Sequence, residues 1–173
     1  GGESVDVCVR YLRIHQLGEL MSLPWRGIVI HHSLTKDGDT VSWNAIRRYH
    51  TDPNGPPQYR MREIGYHAGV EMIGGAYEVL FGRPLDWFGA HTVGHNRTHL
   101  GFLFVGNFDL APPPTEMLQV ACERAIRPWM KAFGIGVTDI RPHRDFADKT
   151  CPGRFFDMAQ LIDVLEHLRA GDL

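Results

Sequence analysis

Apolar and polar positions follow two rhythms along this chain. Ile28-Val29-Ile30 is a short continuous apolar run ending in His31, His32 and Ser33, and it predicts a buried strand whose end presents two imidazoles to a cleft. A turn signal at Asp37-Gly38 and a cap candidate at Thr40 or Ser42 introduce a predicted helix to about His50, stopped by Asp52-Pro53-Asn54-Gly55. Residues 63–84 predict a hairpin across Gly74-Gly75, its first strand carrying Tyr66 and its second running from Tyr77 to Phe81. The stretch LDWFGAHTVGHNRTHL is polar, aromatic and punctuated by glycine, which predicts a loop rich in hydrogen-bonding groups. LGFLFVGNF then predicts a strand buried on both faces. Beyond Ala111-Pro112-Pro113-Pro114, apolar residues at Leu118, Ala121, Ala125 and Trp129 predict a long helix capped by Thr115, with Glu116 in its first turn, a bend at Pro128 and an end near Gly134. Residues 137–143 read as a short strand, and Leu161, Leu165 and Leu168 share one face of a closing helix.

Strands interleaved with helices of this length predict an α/β fold: a single domain with a central mixed β-sheet flanked by helices. At 173 residues and 43% hydrophobic, the chain can bury one sizeable core. No internal repeat or low-complexity tract divides it, so residues 1–26 are expected as an amino-terminal extension or arm and 27–173 as the domain proper. A formal net charge of -2 with no dense basic block excludes a nucleic-acid partner, and the lack of about 18 consecutive apolar residues excludes membrane insertion. The opening GGESVDVCVRYLRIHQ lacks the cationic start and apolar core of an export signal, and localisation stays open. Nothing calls for more than a monomer. Cys8, Cys122 and Cys151 are odd in number and far apart, a poor disulfide framework; Cys122 falls on the apolar face of the long predicted helix and reads as a core residue.

The chemistry concentrates in HRDFADKTCPG, residues 143–153. Zinc is held by histidine nitrogen and cysteine thiolate, and catalytic sites keep three protein ligands and one open position. His143 and Cys151 supply two such groups, too widely separated for a single zinc-finger knuckle, so the intervening loop must fold back on itself. The strand-end His31 or His32 is the leading third ligand. The same pattern is met by chance among ten histidines, with Cys151 a small buried residue and Lys149 a solvated charge, and spacing alone does not choose.

IVIHHS, IGYH, GAHTVGHNRTHLGFLFVGNF and RPHRDFADKTCPG, in this order and at these separations, resemble the zinc-dependent N-acetylmuramoyl-L-alanine amidases, a family that includes phage amidase lysozymes and peptidoglycan recognition proteins. The resemblance runs from about Gly27 to about Phe156. It implies an amidase-like fold, a Zn²⁺ cofactor bound by His31, His143 and Cys151, a catalytic tyrosine at Tyr66 and a catalytic lysine at Lys149, with His91 and Asn96 contacting substrate. A one-residue slip would exchange His31 for His32, since neighbours on a strand face opposite ways. The implied activity is hydrolysis of the amide between N-acetylmuramic acid and L-alanine in peptidoglycan or a muropeptide. The alternative is a non-catalytic peptidoglycan-binding module with a structural zinc.

Two neutral histidines and one thiolate leave a bound Zn²⁺ with net positive charge, enough to polarise a carbonyl and acidify water. Lys149 and the Tyr66 hydroxyl are suited to a developing oxyanion. The proton acceptor is unassigned: Asp145 and Asp148 are near in sequence only, and Asp145 reads equally as a cap or as a partner of a metal-binding histidine. Trp87 serves either the core or a sugar platform, and Arg47, Arg60 and Arg62 have no assigned role.

Overall fold

The computed structural model describes residues 23–35 and 43–170. Five strands form one sheet: β1 (Gly27–His32), β2 (Ala68–Ile73), β3 (Ala76–Phe81), β4 (His99–Phe104) and β5 (Ile140–Pro142), in the order β3-β2-β4-β1-β5. Around it run α1 (Trp43–Thr51), α2 (Thr115–Ala121), α3 (Arg127–Phe133) and α4 (Met158–Ala170). β1 pairs in parallel with both β4 and β5, β2 in parallel with β4, and only β3 is antiparallel to its neighbour. The sheet is therefore mixed, as the sequence predicts.

The hairpin closes as its glycines require. Gly74 and Gly75 have φ of 58° and 88°, the pair of positive angles that a two-residue turn of the favoured twist demands. Tyr66, expected on the first strand, lies two residues ahead of β2. Tyr66 O still accepts from Arg83 N at 2.9 Å, and the hairpin pairing gives way one residue earlier: Gly65 N–H donates to His50 Nδ1 at 3.1 Å, and Gly65 O accepts from Ala90 N at 2.9 Å. That departure turns Tyr66 toward the end of β1.

The long helix differs at both of its predicted irregularities. Pro114, not Thr115, occupies the cap position, and Thr115 Oγ1 accepts instead from Gln160 Nε2 of α4 at 3.4 Å. At the predicted bend, a π-helical turn over Cys122–Ile126 joins α2 to α3, and Arg127 N–H reaches Cys122 O. This wide turn sits just ahead of Pro128, which has no N–H to donate, so the irregularity falls one turn early. The helix ends at Gly134, as expected.

Period-two alternation assigns each face of β1. Ile28 and Ile30 join Leu100, Phe102 and Phe104 of β4 in the main core beneath α2, α3 and α4, where Met117, Leu118, Ile126, Leu161 and Leu165 are also buried. Leu168 packs against the same core, and Cys122 is fully buried in it. On the opposite face, Leu103 and Val105 pack with Trp43 of α1 and Ile64. His31 pairs in register with Leu103, and His32 with Phe104. The two histidines thus face opposite sides of the sheet.

Of residues 23–26, placed by sequence with the arm, Leu23 packs against the core and Trp25 is 4% exposed with its indole N–H donating to Leu85 O at 2.9 Å, while Pro24 and Arg26 are exposed. The rest of the expected arm with Cys8, and the cap candidates Thr40 and Ser42, lie outside the described residues.

Candidate metal centre

β1 and β5 are adjacent and parallel, with Ile30 opposite Pro142, so the residues that follow emerge side by side at their carboxyl ends. His143 opens a 3-10 turn directly after β5, and its ring lies 4.5 Å from that of His31, centroid to centroid. The loop between His143 and Cys151 folds back as its spacing requires. Arg144 N–H donates to Cys151 O at 2.8 Å, and the Arg144 guanidinium donates to Gly153 O and Phe156 O at 2.9 and 3.3 Å. Asp109 anchors the far end, accepting from Thr150 Oγ1 at 2.8 Å and Arg154 N at 2.9 Å. Cys151 Sγ then sits 3.8 Å from His31 Nδ1 and accepts from His32 N at 3.5 Å.

One ligand atom each from His31, His143 and Cys151 lies within 4.8 Å of the others. Tetrahedral zinc with bonds of about 2.05 Å to nitrogen and about 2.3 Å to sulfur sets such atoms about 3.4 to 3.6 Å apart. The 3.8 Å between sulfur and Nδ1 needs little adjustment and the widest separation, up to 4.8 Å, has to close by about 1 Å, so the donor set fits zinc in chemistry and, with that contraction, in spacing. All three residues are buried.

Burial also sets their protonation. It holds His31 well below the usual imidazole range, helped by His91, His143, Lys149 and His32, and brings His143 down to about 4, with Lys149 adding to the effect. Both imidazoles are neutral near pH 7. Burial pushes the Cys151 thiol up to about 11, against the opposing pull of the His32 N–H and of Lys149. The positive charge of Lys149 thus acts on all three groups from an exposed position beside them.

Tyr66 lies against the cluster, its ring 5.1 Å from that of His31. Burial raises its hydroxyl pKa, with Cys151 and Tyr59 contributing, so the phenol keeps its proton as a hydrogen-bond donor. His32 points into the other face, where Nδ1 accepts from Phe108 N at 3.2 Å and Nε2 finds no partner among the described residues. His91 and Asn96 sit in the loop before β4. Asn96 Oδ1 accepts from His91 N and Thr92 N, both at 2.8 Å, and ties the loop into a turn. His91 Nδ1 lies 3.1 Å from His31 Nε2, and its Nε2 is 3.2 Å from His99 O.

Other candidates separate from the centre. Asp145 pairs with Arg141 at 2.6 Å, Arg47 with Glu63 at 2.5 Å, and Arg60 donates to Gly55 O at 2.9 Å. Trp87 is half-buried, with the Arg62 guanidinium 4.6 Å above its ring. Sequence reading passed over Thr92, which is 2% exposed with its hydroxyl 3.3 Å from His31 Nε2. It also passed over His67, which accepts from Gly101 N at 3.0 Å and bonds Trp87 O at 2.9 Å. The signal for both was their place beside His91 and Tyr66 within the matched blocks.

The sequence profile of the family described as N-acetylmuramoyl-L-alanine amidase matches residues 21–154. A human N-acetylmuramoyl-L-alanine amidase is 29% identical over 154 residues, 81% of this chain but 24% of that protein. The chain thus spans about a quarter of the length of that relative. Among solved structures, the N-acetylmuramoyl-L-alanine amidase LysC from Clostridium intestinale superposes with a TM-score of 0.68 at 23% identity, covering 84% of this chain and 88% of that one, a likeness of fold. Bumblebee peptidoglycan recognition protein SA gives a TM-score of 0.64 at 28% identity, covering 83% of each chain. By the extent of the profile match, this chain belongs to the N-acetylmuramoyl-L-alanine amidase family.

Proposed function

We propose that this chain is a zinc-dependent hydrolase of the amide between the lactyl group of N-acetylmuramic acid and L-alanine in peptidoglycan. The observation that carries the reading is the convergence of His31, His143 and Cys151 within 4.8 Å, with the Tyr66 ring 5.1 Å from His31 and the charge of Lys149 felt by all three. A zinc ion held there supplies Lewis acidity, polarising a carbonyl and making water more acidic. The residues of the chain do the rest. Tyr66, a protonated phenol, donates a hydrogen bond to the amide oxygen as negative charge develops on it. Lys149 places an ammonium beside the same charge. The loop shaped by His91 and Asn96 walls the substrate side, with Val93 at its tip 92% exposed. The C–N bond breaks, the lactyl carbon gains a carboxylate oxygen from water, and the alanine nitrogen leaves as an amine.

The domain from residue 27 onward, together with the Leu23 and Trp25 packed into its core, acts as the catalytic unit, with a peptidoglycan strand or muropeptide as its partner. No helix among the described residues is long and apolar enough to cross a membrane. The test is incubation of zinc-loaded and chelator-treated protein with insoluble peptidoglycan, followed by mass spectrometry of the soluble fraction. Peptides beginning with L-alanine, released only with zinc, support the reading. Sedimentation with the wall and no release would make the chain a binding module instead, a role open to a relative of the recognition proteins.

A further inference from the structure

The contacts of His91 point inward, to the metal centre. Its ring lies flat in a slot that exists because two residues lack side chains: a Cβ at Gly101 would fall 2.5 Å from His91 Cδ2, and one at Gly89 would fall 2.6 Å from its Nε2. Gly89 belongs to the loop and Gly101 to β4, so loop and sheet together clamp the ring. The rings of His31 and His67 stand edge-on to it at 5.0 and 6.0 Å, and Tyr66 stacks at 6.2 Å. An imidazole held this tightly has little freedom to follow a ligand.

The hydrogen bonds around it have a direction. His31 Nδ1 faces Cys151 Sγ at 3.8 Å, so to bind a metal it must be bare, with the proton on Nε2. That Nε2–H has two acceptors, His91 Nδ1 at 3.1 Å and Thr92 Oγ1 at 3.3 Å. Thr92 in turn can donate its hydroxyl hydrogen bond to His91 Nδ1 at 2.9 Å. His91 must then carry its own proton on Nε2, which faces His99 O at 3.2 Å, a backbone acceptor fixed in β4. Every proton in the chain has a partner, and the chain runs one way, from the metal-side histidine to the sheet. Metal-binding histidines commonly donate their second N–H to such a partner, which fixes tautomer and ring orientation.

We propose that His91, with Thr92, is a positioning residue for His31: it holds the imidazole with Nδ1 bare and aimed at the metal, and the glycine slot holds His91. This rests on the zinc reading above and reassigns the main work of His91 from substrate contact to the metal. Among the described residues, His31 Nε2 has no acceptors but these two.

The test reads metal rather than turnover. Zinc affinity is measured by competition with a chromophoric chelator, and the cobalt-substituted proteins are compared by visible absorption. His91→Ala should lose about 10- to 100-fold in zinc affinity and shift the cobalt bands, the range found when such outer partners are removed. His91→Asn, whose side-chain oxygen can stand where Nδ1 stood, should recover most of that loss. Thr92→Val should show a smaller loss, and Gly101→Ala should follow His91→Ala although it touches no ligand. Melting of the metal-free proteins establishes that each variant is folded. Wild-type zinc affinity and cobalt spectrum in folded His91→Ala would overturn the proposal while leaving the zinc reading intact. Failure of the wild-type chain to bind zinc would overturn both.

Discussion

Zinc binding at pH 7 should release one proton per chain, and that proton should come from Cys151. The thiol stands at about 11 in the metal-free protein because burial outweighs the help of the His32 N–H and Lys149. A thiol four units above ambient pH is ionised in about one chain in 10⁴. His143, brought down to about 4, and His31, lower than its usual range, are already neutral and have no proton to lose. Apparent zinc affinity should therefore rise about tenfold per pH unit across the neutral range. It should steepen only on approach to the His143 value near 4, where a second proton must leave. Isothermal titration in two buffers of different ionisation enthalpy at one pH gives the proton count directly. A count near zero would mean that Cys151 is already a thiolate; release above one that disappears by about pH 6 belongs to water on the metal, whereas a count near two that persists there would mean that a histidine is charged, and the first or the last result would refute this electrostatic reading of the centre.

Other outcomes follow from the same geometry. Without metal, stability should fall as pH drops from about 6.5 to about 4: His67, held at about 4 by burial, stays neutral in the fold while the unfolded chain takes up a proton, which alone contributes about 3 kcal/mol, and the buried His31, His91 and His143 add to the loss that acid melting curves would show. Tyr66→Phe and Lys149→Ala should each slow peptide release by about 10²- to 10³-fold while wall binding stays near wild type in sedimentation assays; unchanged turnover would remove either residue from the chemistry. Leu161→Ala, in a fully buried site on the helix side of the sheet, should cost about 2 to 5 kcal/mol in denaturant unfolding yet leave zinc affinity unchanged, because the centre lies on the other face.

Much of this fold was legible because its signals are local. The Ile28–Ile30 run, the Gly74-Gly75 turn and the Leu161-Leu165-Leu168 stripe each follow from periodicity or a backbone requirement, and each is found in place. The displaced features depend on partners remote in sequence. Thr115 sits inside the helix with its hydroxyl accepting from Gln160 of α4, and the chain departs from the hairpin at Gly65, whose hydrogen bonds go to His50 and Ala90. Residues 143–151 announced their chemistry, but only the parallel pairing of β1 with β5 brings His31 to them. The choice between His31 and His32 was likewise a question of sheet face, answered by the registers His31 to Leu103 and His32 to Phe104. Thr92 and the slot at Gly89 and Gly101 stayed hidden, since a missing side chain has meaning only when one sees what fills its place.

The central claim is the bond that is cut, and ¹⁸O-labelled water reads it. Zinc-loaded protein acting on purified peptidoglycan should place one ¹⁸O in the lactyl carboxylate of muramic acid and leave an unlabelled peptide with a free L-alanine amine. Label at a sugar carbon or within the stem peptide, or its absence from the lactyl carboxylate after complete incubation, would contradict the account.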